Sequence, residues 1–486
     1  MIEIVNKLCT MLIFSLLSLF QVTFLPANVS QQPQTTEALV ELFDQSLYAA
    51  QSIEDEWVKS ILATYPELYW YTENGVSMTQ EGRGVDRPDS FSVRVLGVYY
   101  PELDRTLMVL KSLFLLINGS DAAYEAWIQG QKAPVLKRAS FDLLVARVQD
   151  VSTHLNGLIK EGVYQAWITA LILGDMGKTQ AAHRLFESMG INVVDHDMFY
   201  AQVVCSENAR KELPSFARLE SKAQDLLVKT ADLGHWGHMT HLEGGFEMFE
   251  PLKHSNILVT DPAAFWFEAV VHSCDVAGAA GHVSPEGPVI YTENVYQVLE
   301  AVYAACAQLK EASVADAYDA YMSERAAWAG LPLDASLDQV LVRLAAMLRL
   351  MDAGSGECLQ QAVRLWTSGE QAVIVDVLSI AGANRLPVTP TYVPAVFANL
   401  ASSEELGTTR CERLEKTIAY GVPWVARVLR DYGVLLAQHK MSSEIPLNFN
   451  AIAGAVKVCP YVLNKFDGWI NPETGAVELG SPALAH

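Results

Sequence analysis

At 486 residues, 51% hydrophobic and 19% charged, the chain is long enough for two or three subdomains and too apolar for global disorder. Its 34 basic against 56 acidic residues leave a formal charge of −22, which disfavours nucleic acid and anionic membrane surfaces as general partners. A small phosphorylated substrate is not excluded, because a local pocket can oppose the global field.

The chain begins with an apolar run, Leu8 to Leu25, preceded by Lys7 and closed by Pro26-Ala27. This is the pattern of a hydrophobic leader or short anchor over residues 1–30, the only route by which a membrane enters the reading. Asn28-Val29-Ser30 and Asn118-Gly119-Ser120 fit the glycosylation sequon. The seven cysteines form no CxxC pair and several sit in apolar helical patterns, so they read as reduced core residues. That usage points to a cytoplasmic setting, whereas the leader points to secretion or anchoring.

After a polar linker at 30–36, apolar residues recur at helical spacing from Glu37 to Tyr65. Glu73 to Ser90 reads as loop. Phe91 to Tyr100 alternates and reads as a strand or extended arm, and Leu103 to Ile117 returns to helix. Residues 37–140 are thus expected to form an N-terminal helical subdomain. From 141 to 352 helix follows helix, with Gly and Pro between them, and 358–486 continues as a helical extension with an irregular tail. The fold class expected is all-α. No fixed repeat, GxGxxG, P-loop or Gly-x-Ser-x-Gly elbow is present.

The stretch that organises the functional reading is Trp167 to Lys178. An apolar helix stops abruptly at Gly174-Asp175-Met176-Gly177-Lys178. A carboxylate at the edge of a core is costly without a partner. Candidate partners are His154 upstream and, downstream, His196 between Asp195 and Asp197, then His241, and the His272-x-x-Asp275 pair, whose spacing places both side chains on one helical face. Imidazole and carboxylate are the usual ligands of borderline and hard divalent ions. Without a metal, Asp175 would pair with Lys178, and His272 would be a satisfied core histidine. His235 and His238, in a Gly-rich turn, read as structural. Gly278-Ala-Ala-Gly-His282 is a small-residue bend where another backbone or a ligand can come close, with His282 lining the opening.

The pattern Ala170-Leu-Ile-Leu-Gly-Asp-Met-Gly-Lys178 resembles the loop of the HD-domain superfamily of metal-dependent phosphohydrolases, except that Gly174 stands where the family has a metal-binding His. The resemblance spans about 140–350. It implies a metal set drawn from His154, Asp175, His196, Asp197, His241, His272 and Asp275, with Asp175 and Lys178 at the chemistry. One or two divalent ions (Mn, Fe, Mg, Zn or Ni) would supply a hydroxide at neutral pH. Lys178, Arg343, Arg349 and His282 would hold a nucleotide-like phosphorylated substrate. Arg343 and Arg349 lie on an otherwise apolar helix and are alternatively paired with acids such as Glu324 or Asp352. Two functions follow. One is a divergent HD-like metal-dependent phosphohydrolase. The other is a non-catalytic HD-like scaffold or ligand-binding protein that has lost its metal.

Overall fold

Stop signals set where each helix ends, and the apolar face of each decides what it packs on. In a computed structural model, residues 33–480 are described, apart from 50, 74–75, 78–88, 156, 159 and 194–195. The fold is all-α, with 69% helix and 3% strand. The leader at 8–25 lies outside the described residues. Among those described, no helix is long and apolar enough to cross a membrane.

The chain divides into two compact units, neither continuous in sequence. The first takes the chain up to Lys132, then Phe141–Val228 and Cys274–Ile290; the second takes Ala133–Ser140, Lys229–Ser273 and everything from Tyr291 on.

In the first unit the central helix is Pro101–Asn118. Proline at its first position and left-handed Gly119 at its end are the expected start and stop. It is buried almost throughout. Phe114 meets Phe43 and Trp57 with ring centroids 5.3 Å away, the edge-on and tilted packing that aromatic quadrupoles favour. Helices Thr36–Ser46, Gln51–Thr64 and Lys160–Gly174 complete this core. The expectation of an extended Phe91–Tyr100 is corrected. Phe91–Leu96 is a helix capped by Ser90, whose hydroxyl accepts from the Val93 N–H, and ended by Gly97 at φ 75°. Only Val98–Tyr99 is strand, paired with Val76–Ser77.

The second unit stacks helices Glu293–Gln308, Val314–Ala329 and Ser336–Met347 in order. Further on, Arg410–Lys416 continues through a π turn, Thr417–Gly421, into Val422–Ala437. Pro423 brings no N–H to a helix ladder, and the Ile418 carbonyl in that turn accepts from the Trp366 indole at 2.8 Å. The irregular tail contains a helix, Asn450–Val458, and a small hairpin, Gly468–Ile470 against Val477–Leu479.

One expectation about the cysteines is overturned. Cys358 and Cys411, 53 residues apart, form a disulfide with Cα atoms 5.5 Å apart. The bond joins helices Ala353–Ala362 and Arg410–Lys416, and no local spacing in the sequence announces it. Cys274, Cys306 and Cys205 are in no disulfide, the first two buried and Cys205 exposed.

Candidate functional site

Asp175 follows the last residue of the Lys160–Gly174 helix and precedes a single 3-10 turn, Met176–Lys178. Thr179 then caps Gln180–Glu187, so the chain leaves the carboxylate at a fixed corner. Gly177 is needed there for contact rather than for φ. A Cβ at 177 would sit 2.8 Å from the His196 Cα, at the start of helix His196–Cys205. Gly174, by contrast, faces open space.

Around Asp175 the first unit gathers a polar cluster. Lys178 Nζ lies 2.6 Å from Oδ1, and Arg105 Nε lies 3.4 Å from Oδ2. His196 Nε2 is 3.9 Å from Oδ1. The Arg105 guanidinium reaches on to Asp275, with Nη2 3.3 Å from Oδ1. Asp275 arrives there because Gly278 and Gly281 let the chain press against helix Pro101–Asn118. A Cβ at 278 would fall on the Val109 backbone, and one at 281 would lie 2.7 Å from the Asp104 carbonyl. The small-residue bend therefore receives another backbone. His282 is exposed, and its carbonyl accepts from the Tyr99 hydroxyl at 2.7 Å.

The electrostatics follow from this geometry. Burial alone would raise the Asp175 carboxyl. Lys178 and Arg105, and then His196, outweigh it and hold the group below its ordinary value. Burial opposes the charge on Arg105, but Asp175, Asp275 and Glu102 overcome it and keep the guanidinium firmly protonated. The positive charges of Arg105 and Lys178 thus offset the carboxylates gathered here without a further ion.

Asp175 is engaged by cations in this arrangement. Each Asp175 oxygen already faces a cation within ion-pair distance. Among the described residues no three His, Cys, Asp or Glu side chains gather closely enough to hold a metal. The other expected ligands have surroundings of their own or are not described. His154 is exposed at a helix end, with Nδ1 2.8 Å from its own helix's Asp150 carbonyl. Asp195 and the Asp197 side chain fall outside the described residues. His241 and His272 belong to the second unit. There His272 stacks on Trp236 at 5.6 Å, with Nδ1 3.0 Å from the Tyr303 hydroxyl. His241 is kept neutral, its imidazole pushed well down by burial and by Arg349 and Arg325.

The geometry of Arg343 does not suit the phosphate-binding role expected of it. Arg343, 2% exposed, spends its donors on the carbonyls of Leu242, Glu243, Gly244 and Leu378. It ties down the turn after helix Trp236–His241 and has no fork left for phosphate. The carboxylate pairings expected for it with Glu324 or Asp352 are replaced by these carbonyls. Arg349 is exposed at φ 57°, just past the same helix as Arg343. Lys178 alone of the substrate set sits in the cluster.

Arg105 is the residue that sequence reasoning missed. Its signal was present, as a charged pair, Asp104-Arg105, opening an otherwise apolar run. A buried-type helix carrying an arginine must supply that arginine with carboxylates.

A family of unknown function (DUF6829) matches residues 68–448, which include every member of the Arg105 cluster. The chain belongs to that family. No curated protein and no solved structure matches it. As a member of DUF6829, the chain carries the cluster within the matched span, and its functional reading rests on the cluster's own chemistry.

Proposed function

We propose that this protein is a non-catalytic helical scaffold or ligand-binding protein in which a guanidinium takes the place of the metal that the HD-like loop would otherwise hold. The observation that carries the reading is the bridge made by Arg105. It spans Asp175 and Asp275, as a divalent ion would span two carboxylate ligands, while Lys178 takes the remaining Asp175 oxygen. Gly174, in the position of the family's histidine, supports it further. An ion pair of this kind fixes three chain segments at one corner and requires no cofactor.

A metal and activity assay tests the reading. The chain, purified with Mn, Fe, Mg, Zn and Ni supplied in turn, is analysed for bound metal and for phosphatase activity on nucleotides. Less than about 0.1 metal per chain and no activity above the Asp175→Ala background are expected. A near-stoichiometric metal, lost together with nucleotide hydrolysis in Asp175→Ala, would instead establish the phosphohydrolase.

A further inference from the structure

The sequon Asn118-Gly119-Ser120 falls where helix Pro101–Asn118 ends and helix Asp121–Ile128 begins. Gly119, at φ 65°, turns the chain between them, and Ser120 caps the second helix by accepting from the Ala123 N–H. Both residues therefore have structural work of their own. Asn118 has less, because a helix stopped by a left-handed glycine does not require an amide in the residue before it. The Asn118 side chain is half-buried. Its Oδ1 accepts from the Ser120 N–H at 3.0 Å, and its Nδ2 donates to Asp44 Oδ1 at 2.8 Å. An amide nitrogen carries two hydrogens, so the bond to Asp44 leaves one that a sugar can replace. Beside it Tyr48 is 73% exposed, its hydroxyl 3.3 Å from that of Ser120.

The disulfide is an independent observation. A Cys358–Cys411 bond forms and persists in an oxidising compartment, the setting of secreted chains. Asparagine-linked glycans are found on surface turns of chains that pass through that setting.

We propose that Asn118 carries an N-linked glycan. The donor is a lipid-linked oligosaccharyl pyrophosphate. A bond forms between Asn118 Nδ2 and the first sugar's C1, the bond from C1 to the pyrophosphate oxygen breaks, and the amide proton leaves with the pyrophosphate. Transfer to the unfolded chain comes before Asp44 is in place, and the N–H that remains on Nδ2 then serves Asp44 in the fold. The exposed Tyr48 ring offers the sugar an apolar face. The proposal does not depend on the reading of the Arg105 cluster.

The test expresses the full chain in cultured eukaryotic cells and maps its glycopeptides after peptide N-glycosidase, which converts a glycosylated Asn to Asp. Mapping also separates Asn118 from Asn28, which lies outside the described residues. Most chains are expected to show conversion at Asn118 and a gel shift that the glycosidase removes. Ser120→Asp keeps a capping oxygen but not the sequon hydroxyl, and is expected to abolish the modification at Asn118. Ser120→Thr keeps both and is expected to retain it. A secreted, disulfide-bonded wild-type chain with Asn118 unmodified overturns the proposal. So does a chain held in the cytosol with Cys358 and Cys411 reduced, or an Asn118 modification that survives Ser120→Asp.

Discussion

Asp175 shows how a single residue can be legible in sequence while its role is not. A carboxylate closing an apolar helix had to find a partner, and Lys178, three residues on, was the local candidate. Arg105, the partner that extends the pair into a bridge, comes from a distant helix and could not be read from spacing. The two loop glycines make a contrast that checks the local geometry. Gly177→Ala drives a methyl into the His196 backbone and is expected to lower stability by about 1–3 kcal/mol. A Cβ at 174 meets nothing within 4 Å, and Gly174→His is expected to be close to neutral in a melting experiment. It is expected to recruit no metal, because Lys178 and Arg105 still occupy Asp175. Asp104 gives a pH test with the opposite sign to Asp175. Burial pushes its carboxyl up to about 6, against the Ser92 backbone and hydroxyl bonds that pull it down. Its contribution is full below the ordinary value of 3.8 and is lost as pH rises through about 6, since the folded state then holds the extra proton less. Asp175, held low, contributes above its ordinary value and loses that contribution only on further acidification. Asp104→Asn keeps the Ser92 bonds in shape and removes the titration. Unfolding curves are expected to show the variant gaining up to about 2 kcal/mol on wild type between pH 4 and pH 7. A constant difference across that range would contradict the assignment.

At the scale of elements, helix positions were legible because apolar spacing and Gly or Pro stops agree from one segment to the next. The Phe91–Tyr100 segment misled because Phe91, Val93 and Val95 alternate like a strand. The Ser90 cap and the left-handed Gly97 close a short helix over the same residues, and capping prevails over alternation in so short a stretch. The disulfide was illegible for a different reason. Its cysteines lie on helices that meet only in the folded chain. Joining residues 53 apart restricts the unfolded state, so replacing both Cys358 and Cys411 by Ala is expected to cost about 2–4 kcal/mol. Alkylation under denaturing, non-reducing conditions is expected to leave this pair unlabelled. Labelling of both sulfurs would show that the bond is not made.

At the scale of the molecule, the all-α class followed from composition and spacing, but the division of the chain did not. Each unit draws on separated stretches, and helix Pro262–Gly278 gives its body to one and its last turn to the other. That explains why His272 and Asp275, neighbours on one helical face by sequence, serve different surroundings. His272 meets Trp236 and Tyr303, while Asp275 meets Arg105. Of the residues assembled from sequence order, Asp175, His196 and Asp275 fall in the first unit and His241 and His272 in the second. The claim on which the functional reading rests is that Arg105 and Asp175 stabilise each other in place of an ion. A double-mutant cycle in unfolding free energy, with Arg105→Met, Asp175→Asn and the double variant, measures this directly. Each single change is expected to cost about 2–4 kcal/mol, and the double variant to cost less than their sum by at least about 1 kcal/mol. Costs that simply add, to within about 0.5 kcal/mol, would mean that the two side chains do not depend on each other and would contradict the account.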